Sequence, residues 1–183
     1  MRTLQFVILG LLLSGPVFAS VEGQTADSAT DSLVTLLVDT DAKEHRKARH
    51  THYVKDKAGL VLVFFTIEGF NGGNNYTFYL AVFQPSWKLD PSKGEAQQRN
   101  AENIAKYKLV GYSPIGGKGK RFVDFKQVAV EKGQITLQTK EYASTDPMCC
   151  PSKAGTAIYR IEENQLIEVK PNNSLQPAAE FKR

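Results

Sequence analysis

The sequence predicts a mainly β (α+β) domain: a single antiparallel meander sheet or partly open barrel with a short N-terminal helix. Three observations predict it. Short runs rich in Val, Ile, Leu, Phe and Tyr recur from about residue 51 to residue 169. Brief Gly/Asn or Lys-Gly turns separate them, as in hairpin-connected strands. Aromatics are plentiful, with ten Phe and seven Tyr, and such residues suit a pleated, half-buried surface.

The chain begins with one positive charge at Arg2, an apolar run over 4–13, the helix breakers Gly15 and Pro16, and then Val17-Phe18-Ala19. That order is the order of a cleavable signal peptide, with cleavage expected near Ala19. The run is too short to cross a bilayer, which takes about 20 apolar residues. No later stretch is apolar enough to span one, so the mature protein is expected in a periplasmic or secreted setting. Removing 19 of the 183 residues leaves 164 and lowers the formal charge from +4 to +3, since Arg2 alone is lost. That length suits one domain with its own core. The mild basic balance lacks the Lys/Arg stripe of a nucleic-acid binder. The basic run 43–49, interrupted by Glu44, reads as a solvated face.

Residues 20–31 are rich in Ser, Thr, Ala and Asp and read as a flexible mature N-terminus. Asp31 or Ser32 is placed to cap a short helix through Leu33, Leu36 and Leu37, with a strand as the alternative. The single β-rich domain is expected over 32–170. Residues 60–67 form a nearly continuous apolar run, the pattern of a central strand covered on both faces. A Gly/Asn turn over 68–75 leads to a second apolar strand over 76–84, stopped by Pro85. Something must cover the second face of these two strands, and the N-terminal segment and a polar 91–106 loop are the candidates. A third strand is expected over 107–112, followed by a flexible turn at 116–120. Strands over 122–131 and 135–142 form a hairpin across Lys132-Gly133. In the second of these Ile135, Leu137 and Thr139 alternate with Thr136, Gln138 and Lys140, so one face is wet. A last hairpin joins 156–162 to 165–169, and 171–183 reads as a polar tail.

The most unusual segment is Asp146-Pro147-Met148-Cys149-Cys150-Pro151-Ser152, which holds both cysteines. An oxidising compartment favours a disulfide. Adjacent Cα atoms lie about 3.8 Å apart across a trans peptide, below the usual disulfide range of about 4.4–6.8 Å. A bond between neighbours therefore strains its backbone, and strained bridges are the more reducible ones. Three readings are open: a structural vicinal disulfide, which ranks first, a redox-active pair, and a soft-metal site in which the Met148 thioether joins the thiolates. A metal needs further ligands. His50 and His52 would share one face of a strand, but nothing in the sequence brings them to the cysteines.

Other motifs fail on context. The glycine clusters at 69–73 and 116–119 link strands, whereas a phosphate loop must open a helix. There is no G-x-S-x-G elbow, and the 55–59 segment lacks the carboxylates of a calcium loop. No cofactor is implied. Phe70, Tyr76, Trp87 and Tyr112 sit in or beside expected turns, where exposed aromatics anchor binding surfaces, or else pack back over the sheet ends.

Gly69-x-x-Gly72-Gly73-Asn74-Asn75-Tyr76, Gly116-Gly117-Lys118-Gly119 and the Asp146-Pro147-x-Cys149-Cys150-Pro151-Ser152 element together resemble small exported bacterial proteins of unknown function. The last element is similar to that of LppP/LprE-type lipoproteins. The resemblance implies a bacterial, periplasmic setting. This chain has no cysteine at the cleavage point to carry the lipid. The sequence thus points first to a non-enzymatic binding or interaction domain, with an unknown protein or small molecule as partner. A redox or soft-metal protein centred on Cys149 and Cys150 comes second, and an enzyme third.

Overall fold

The computed structural model describes residues 22–23, 25–55, 59–70, 75–86, 106–163 and 165–169. The expected signal peptide (1–19), most of the 91–106 loop, Trp87 and the 171–183 tail lie outside them. In chain order the elements are β1 (Glu22–Gly23), α1 (Ala26–Leu37), β2 (Lys43–Glu44), a single 3-10 turn (Arg46–Ala48) and β3 (His50–Tyr53). Then follow β4 (Val61–Glu68), β5 (Tyr76–Pro85), β6 (Tyr107–Gly117), β7 (Arg121–Glu131), β8 (Gln134–Glu141), β9 (Lys153–Glu162) and β10 (Gln165–Val169). All ladders are antiparallel. Strands β4 to β10 lie in sequence order across one sheet, which is the expected meander. The sheet does not close into a barrel.

The helix starts earlier than the sequence suggested. Thr25, not Asp31 or Ser32, is its N-cap, and Thr25 and Ser28 form a reciprocal capping box. Serine serves here where glutamate or glutamine is usual, which is why the signal was missed. Residues 26–31, expected to be flexible, are therefore helical. The helix turns Ala26, Ala29, Leu33 and Val34 onto the sheet, against Val61, Val63, Phe65, Ala81 and Phe83. Full burial of one such leucine is worth about 2 kcal/mol, so this face, more than helix propensity, holds α1 in place.

Strand β4 is buried on both faces, as its unbroken apolar run requires. The helix covers one face. The other is covered by the sheet itself, which curls so that β7 to β10 pack over Leu62, Phe64, Phe78, Leu80 and Val82. Of the two expected covers, the N-terminal segment supplies α1 on one face, and most of the 91–106 loop lies outside the described residues. The cause of the curl lies in β6. Its register with β5 slips between Phe78 and Tyr79 and again between Val82 and Phe83, and such bulges bend and twist a strand. Gly111 then gives β10 room to cross: a Cβ there would stand 3.0 Å from the backbone of Gln165 and Leu166. Strands β6 and β7 are paired at a single position, Gly117 with Arg121, so the sheet folds over at that hinge. Gly117 has φ +142° and lies against the Tyr76 carbonyl, a conformation and a space open to glycine alone. Gly116 and Gly117 thus belong to β6, and the expected turn shortens to 118–120.

The β7–β8 hairpin carries a large excursion. Val123 pairs with Thr139 and Val128 with Leu137, which leaves 124–127 opposite Gln138 alone. Asp124 stabilises the loop by accepting from the Lys126 backbone N–H at 3.0 Å and the Gln127 amide at 2.9 Å. The excursion drives Phe125 inward, its ring 5.1 Å from that of Phe64 and 5.2 Å from that of Phe78. On β8 the predicted alternation holds, with Ile135, Leu137 and Thr139 all buried.

Candidate functional site

The cysteine segment forms the connection between β8 and β9. It is built around Asp146. One carboxylate oxygen, Oδ2, accepts from the Ala143 and Ser152 backbone N–H groups at 2.8 Å each, and Oδ1 accepts from the Ser152 hydroxyl at 2.8 Å. The Asp146 N–H donates back to the Ala143 carbonyl at 3.1 Å, and the Cys150 N–H to the Pro147 carbonyl at 3.0 Å. The first and last residues of the Asp-Pro-Met-Cys-Cys-Pro-Ser element thus clasp each other, and the turn between them is pinned at its base. The Ala143 N–H, followed by the Ser152 hydroxyl and N–H, holds the Asp146 carboxyl below the ordinary carboxylate range.

The clasped turn leans on its neighbour. The Tyr142 hydroxyl donates to the Met148 carbonyl and accepts from the Gly119 N–H of the β6–β7 turn at 3.3 Å. The Met148 methyl lies over Gly119, within van der Waals reach of where a Cβ would stand. Cys149 and Cys150 have their sulfurs at bonding distance and their Cα atoms 3.8 Å apart. Both cysteines are exposed, as is Met148 at 67%. The result is a fixed turn that presents sulfur to solvent.

The remaining sequence candidates divide. Phe70 stands 75% exposed at the β4–β5 turn, with φ +54°. Tyr76 opens β5, half-buried, its ring 5.1 Å from Phe78. Tyr112 is not beside a turn. It sits in mid-β6 opposite Ala81 and packs on the helix-side core. The bulges let β6 run on to Gly117, five residues past the expected end, and this carries Tyr112 into the strand interior. There it flanks Tyr79, whose phenol burial pushes up, with Tyr112 adding to the shift.

His50 and His52 do share one face of β3, opposite Phe64 and Leu62 of β4. Burial, then the neighbouring His50, lowers the His52 pKa. They lie at the β3–β4 edge, whereas the cysteine turn joins β8 to β9. Among the described residues no three His, Cys, Asp or Glu side chains gather as a metal-binding group.

Two charged clusters were not anticipated. Arg49, expected on a solvated face, is buried, its side chain only 5% exposed. It makes a two-pronged pair with Glu44 at 2.7 and 2.6 Å and reaches Asp31 at 2.6 Å and Asp27 at 3.1 Å. Burial alone would lower its pKa, but the hydrogen bonds it donates to Glu44, Asp31 and Asp27 outweigh that and raise it. This network ties α1 to β2. A signal existed in the spacing of Asp27 and Asp31, one helical turn apart and on one face. The second cluster lies where β7, β9 and β10 meet, its ion pair open to solvent. Arg121 pairs with both oxygens of Glu168 at 2.8 and 3.0 Å, and the buried Tyr159 hydroxyl donates to Glu168 at 3.2 Å. Burial, then the Glu168 charge, raises the Tyr159 pKa. No local sequence pattern links these three, because they meet only when β7 to β10 coil together.

The chain matches no family model, no curated protein and no solved structure.

Proposed function

We propose that this chain is an exported, non-enzymatic interaction domain whose working surface is the end of the sheet bearing the Met148-Cys149-Cys150 turn. The carrying observation is that turn's combination of exposure and fixity. An exposed apolar group on a mobile loop loses conformational entropy when it binds, whereas a clasped one has already lost it. Asp146, Ser152 and Tyr142 supply the clasp. The disulfide serves as a rigid structural element of the surface. Export is supported by the order of charge, apolar run and small residues before Ala19, and by the likeness of the Asp-Pro-x-Cys-Cys-Pro-Ser element to LppP/LprE-type lipoproteins.

A photo-crosslinking amino acid in place of Met148, in cells expressing the full chain with its leader, tests this reading. One adduct specific to position 148 is expected, absent when the crosslinker replaces Leu36 on α1, which is also exposed. Failure to form an adduct, or the same adducts from both positions, refutes it. A second reading is redox activity, and the solvent exposure of both cysteines favours it. Intact mass under graded thiol reductant separates the two. Reduction by mild reductant at neutral pH favours redox activity, and resistance favours the structural role.

A further inference from the structure

We propose that the partner of this sheet end is an anionic phospholipid bilayer surface, to which the domain docks peripherally. The inference rests on the reading of that end as the working surface and names what it meets.

The topology gathers seven residues there. The end of β4, the start of β5, the end of β6, the start of β7, the end of β8 and the start of β9 all lie at one end of the sheet. Among the described residues, three of the five exposed large apolar side chains are found there: Phe70 on the β4–β5 turn, Phe122 at the start of β7 and Met148 on the β8–β9 turn. Around them stand Lys118 and Lys120 on the β6–β7 turn, Lys140 opposite Phe122, and Lys153 opposite Glu141. Among the described residues none of these four lysines pairs with a carboxylate. The acids at this end are otherwise engaged. Glu68 binds His45, Glu141 and Glu168 face Arg121, and Asp146 is consumed by the clasp.

The pattern of apolar tips with lysines beside them matches a headgroup layer over an acyl boundary. Aromatic and methionine side chains enter the boundary while lysines meet phosphates. A bound peptide would need a groove. Here two of the three apolar groups stand on separate turns and the third, Phe122, on strand β7. Among the described residues a concavity of about 190 Å³, lined by Thr25, Ala26, Asp27, Thr51, Tyr53 and Tyr107, lies toward the other end, where β6 begins. The disulfide adds an apolar, uncharged ridge beside Met148.

The test is co-sedimentation of the chain, purified from cells expressing it with its own leader, on two kinds of vesicle. One is phosphatidylcholine mixed with phosphatidylglycerol, the other phosphatidylcholine alone. Binding is expected on the anionic vesicles only, and added salt should weaken it. Each lysine near such a surface strengthens partitioning about fivefold, so Lys120→Gln/Lys140→Gln should lose roughly 25-fold. Phe70→Ser/Met148→Ser should also weaken binding. Lys132→Gln, a single such substitution in the β7–β8 turn at the opposite end, should leave it unaltered. Circular dichroism of each variant checks the fold. Equal binding to both vesicles, no binding, or an equal loss in Lys132→Gln overturns the proposal. If vesicles fail while the Met148 crosslinker traps one protein, the membrane inference falls and the interaction surface stands. If both fail, both fall.

Discussion

Replacing Arg49 by methionine should be among the most damaging single changes outside the apolar core. The guanidinium is almost fully enclosed, and its chief partner Glu44 is itself only 9% exposed. Methionine keeps most of the length and volume, so the loss is electrostatic. It strands the Glu44 carboxylate in a site built around a cation. Breaking a buried pair from one side costs about 3–5 kcal/mol. Asp27 and Asp31 are about half exposed and can turn to water, so their share is discounted. A loss of about 3 kcal/mol lowers the melting temperature by about 6–12 °C in a chain of this size. The assay is thermal and urea denaturation of four proteins: wild type, Arg49→Met, Glu44→Met and the double variant. The double variant should recover a good part of the loss, because it leaves no buried charge without a partner. A drop in Arg49→Met below 1 kcal/mol, or a double variant as unstable as the sum of the singles, would refute the account of Arg49 as a buried electrostatic tie between α1 and β2.

Asp146 makes a pH prediction. Its carboxyl is held below the ordinary range in the folded protein, so the clasp is fully present above the unfolded pKa of about 4 and is lost as pH falls through the lower folded value. Protection of the Ser152 and Ala143 amides, measured against their intrinsic exchange rates, should therefore persist as pH falls to about 4 and be lost only below that, as pH passes the lowered folded value. Asp146→Ala should abolish that transition, and an unchanged profile would contradict the clasp. Gly111→Val should destabilise by about 2 kcal/mol, because the new side chain meets β10 backbone rather than a yielding side chain. Urea titration reads it, and a neutral result would mean that β10 does not cross there. Phe125→Ala should cost about 2 kcal/mol through the contacts with Phe64 and Phe78. A loss under 0.5 kcal/mol would show that the β7 excursion does not seal the core.

Strands were legible where their cause is local. Residues 60–67 and 76–84 announce themselves by hydrophobicity, and 135–142 by alternation. Each reappears within a residue or two as β4, β5 and β8. What the sequence hid depends on distant partners. The bulges of β6 are set by its pairing with β5, so Tyr112 read as the end of a strand when it is the middle of one. The curl that covers Phe64 needs Gly111 to receive β10, more than fifty residues later. Arg49 looked solvated because its immediate neighbours are basic. Its partners Asp27 and Asp31 become neighbours only once α1 docks. The cysteine turn lies between these cases. Its unusual chemistry was plain from the residues alone, but the role of Asp146 was not. A carboxylate six residues before a serine gives no hint that the two will close on each other.

That closure changes how the cysteine pair should be understood. If the disulfide alone fixed the turn, reduction would release Met148 and dissolve the surface. The described hydrogen bonds run instead through Asp146, Ser152 and Tyr142, none of which involves sulfur. Only one described bond, from the Cys150 N–H to the Pro147 carbonyl, lies within the bridged dipeptide's own backbone. The frame of the turn and the state of its sulfurs are therefore separable. Reduction should alter the chemistry displayed at the tip, from an apolar ridge to two thiols, while Asp146 still holds the frame. Cys149→Ser/Cys150→Ser, which mimics the polar tip, tests whether frame and sulfur state are separable. The variant should keep the slow Ser152 amide exchange of the wild type while losing contact at position 148. Fast exchange at Ser152 in that variant would show that the sulfur bridge, not the carboxylate, is what holds the turn.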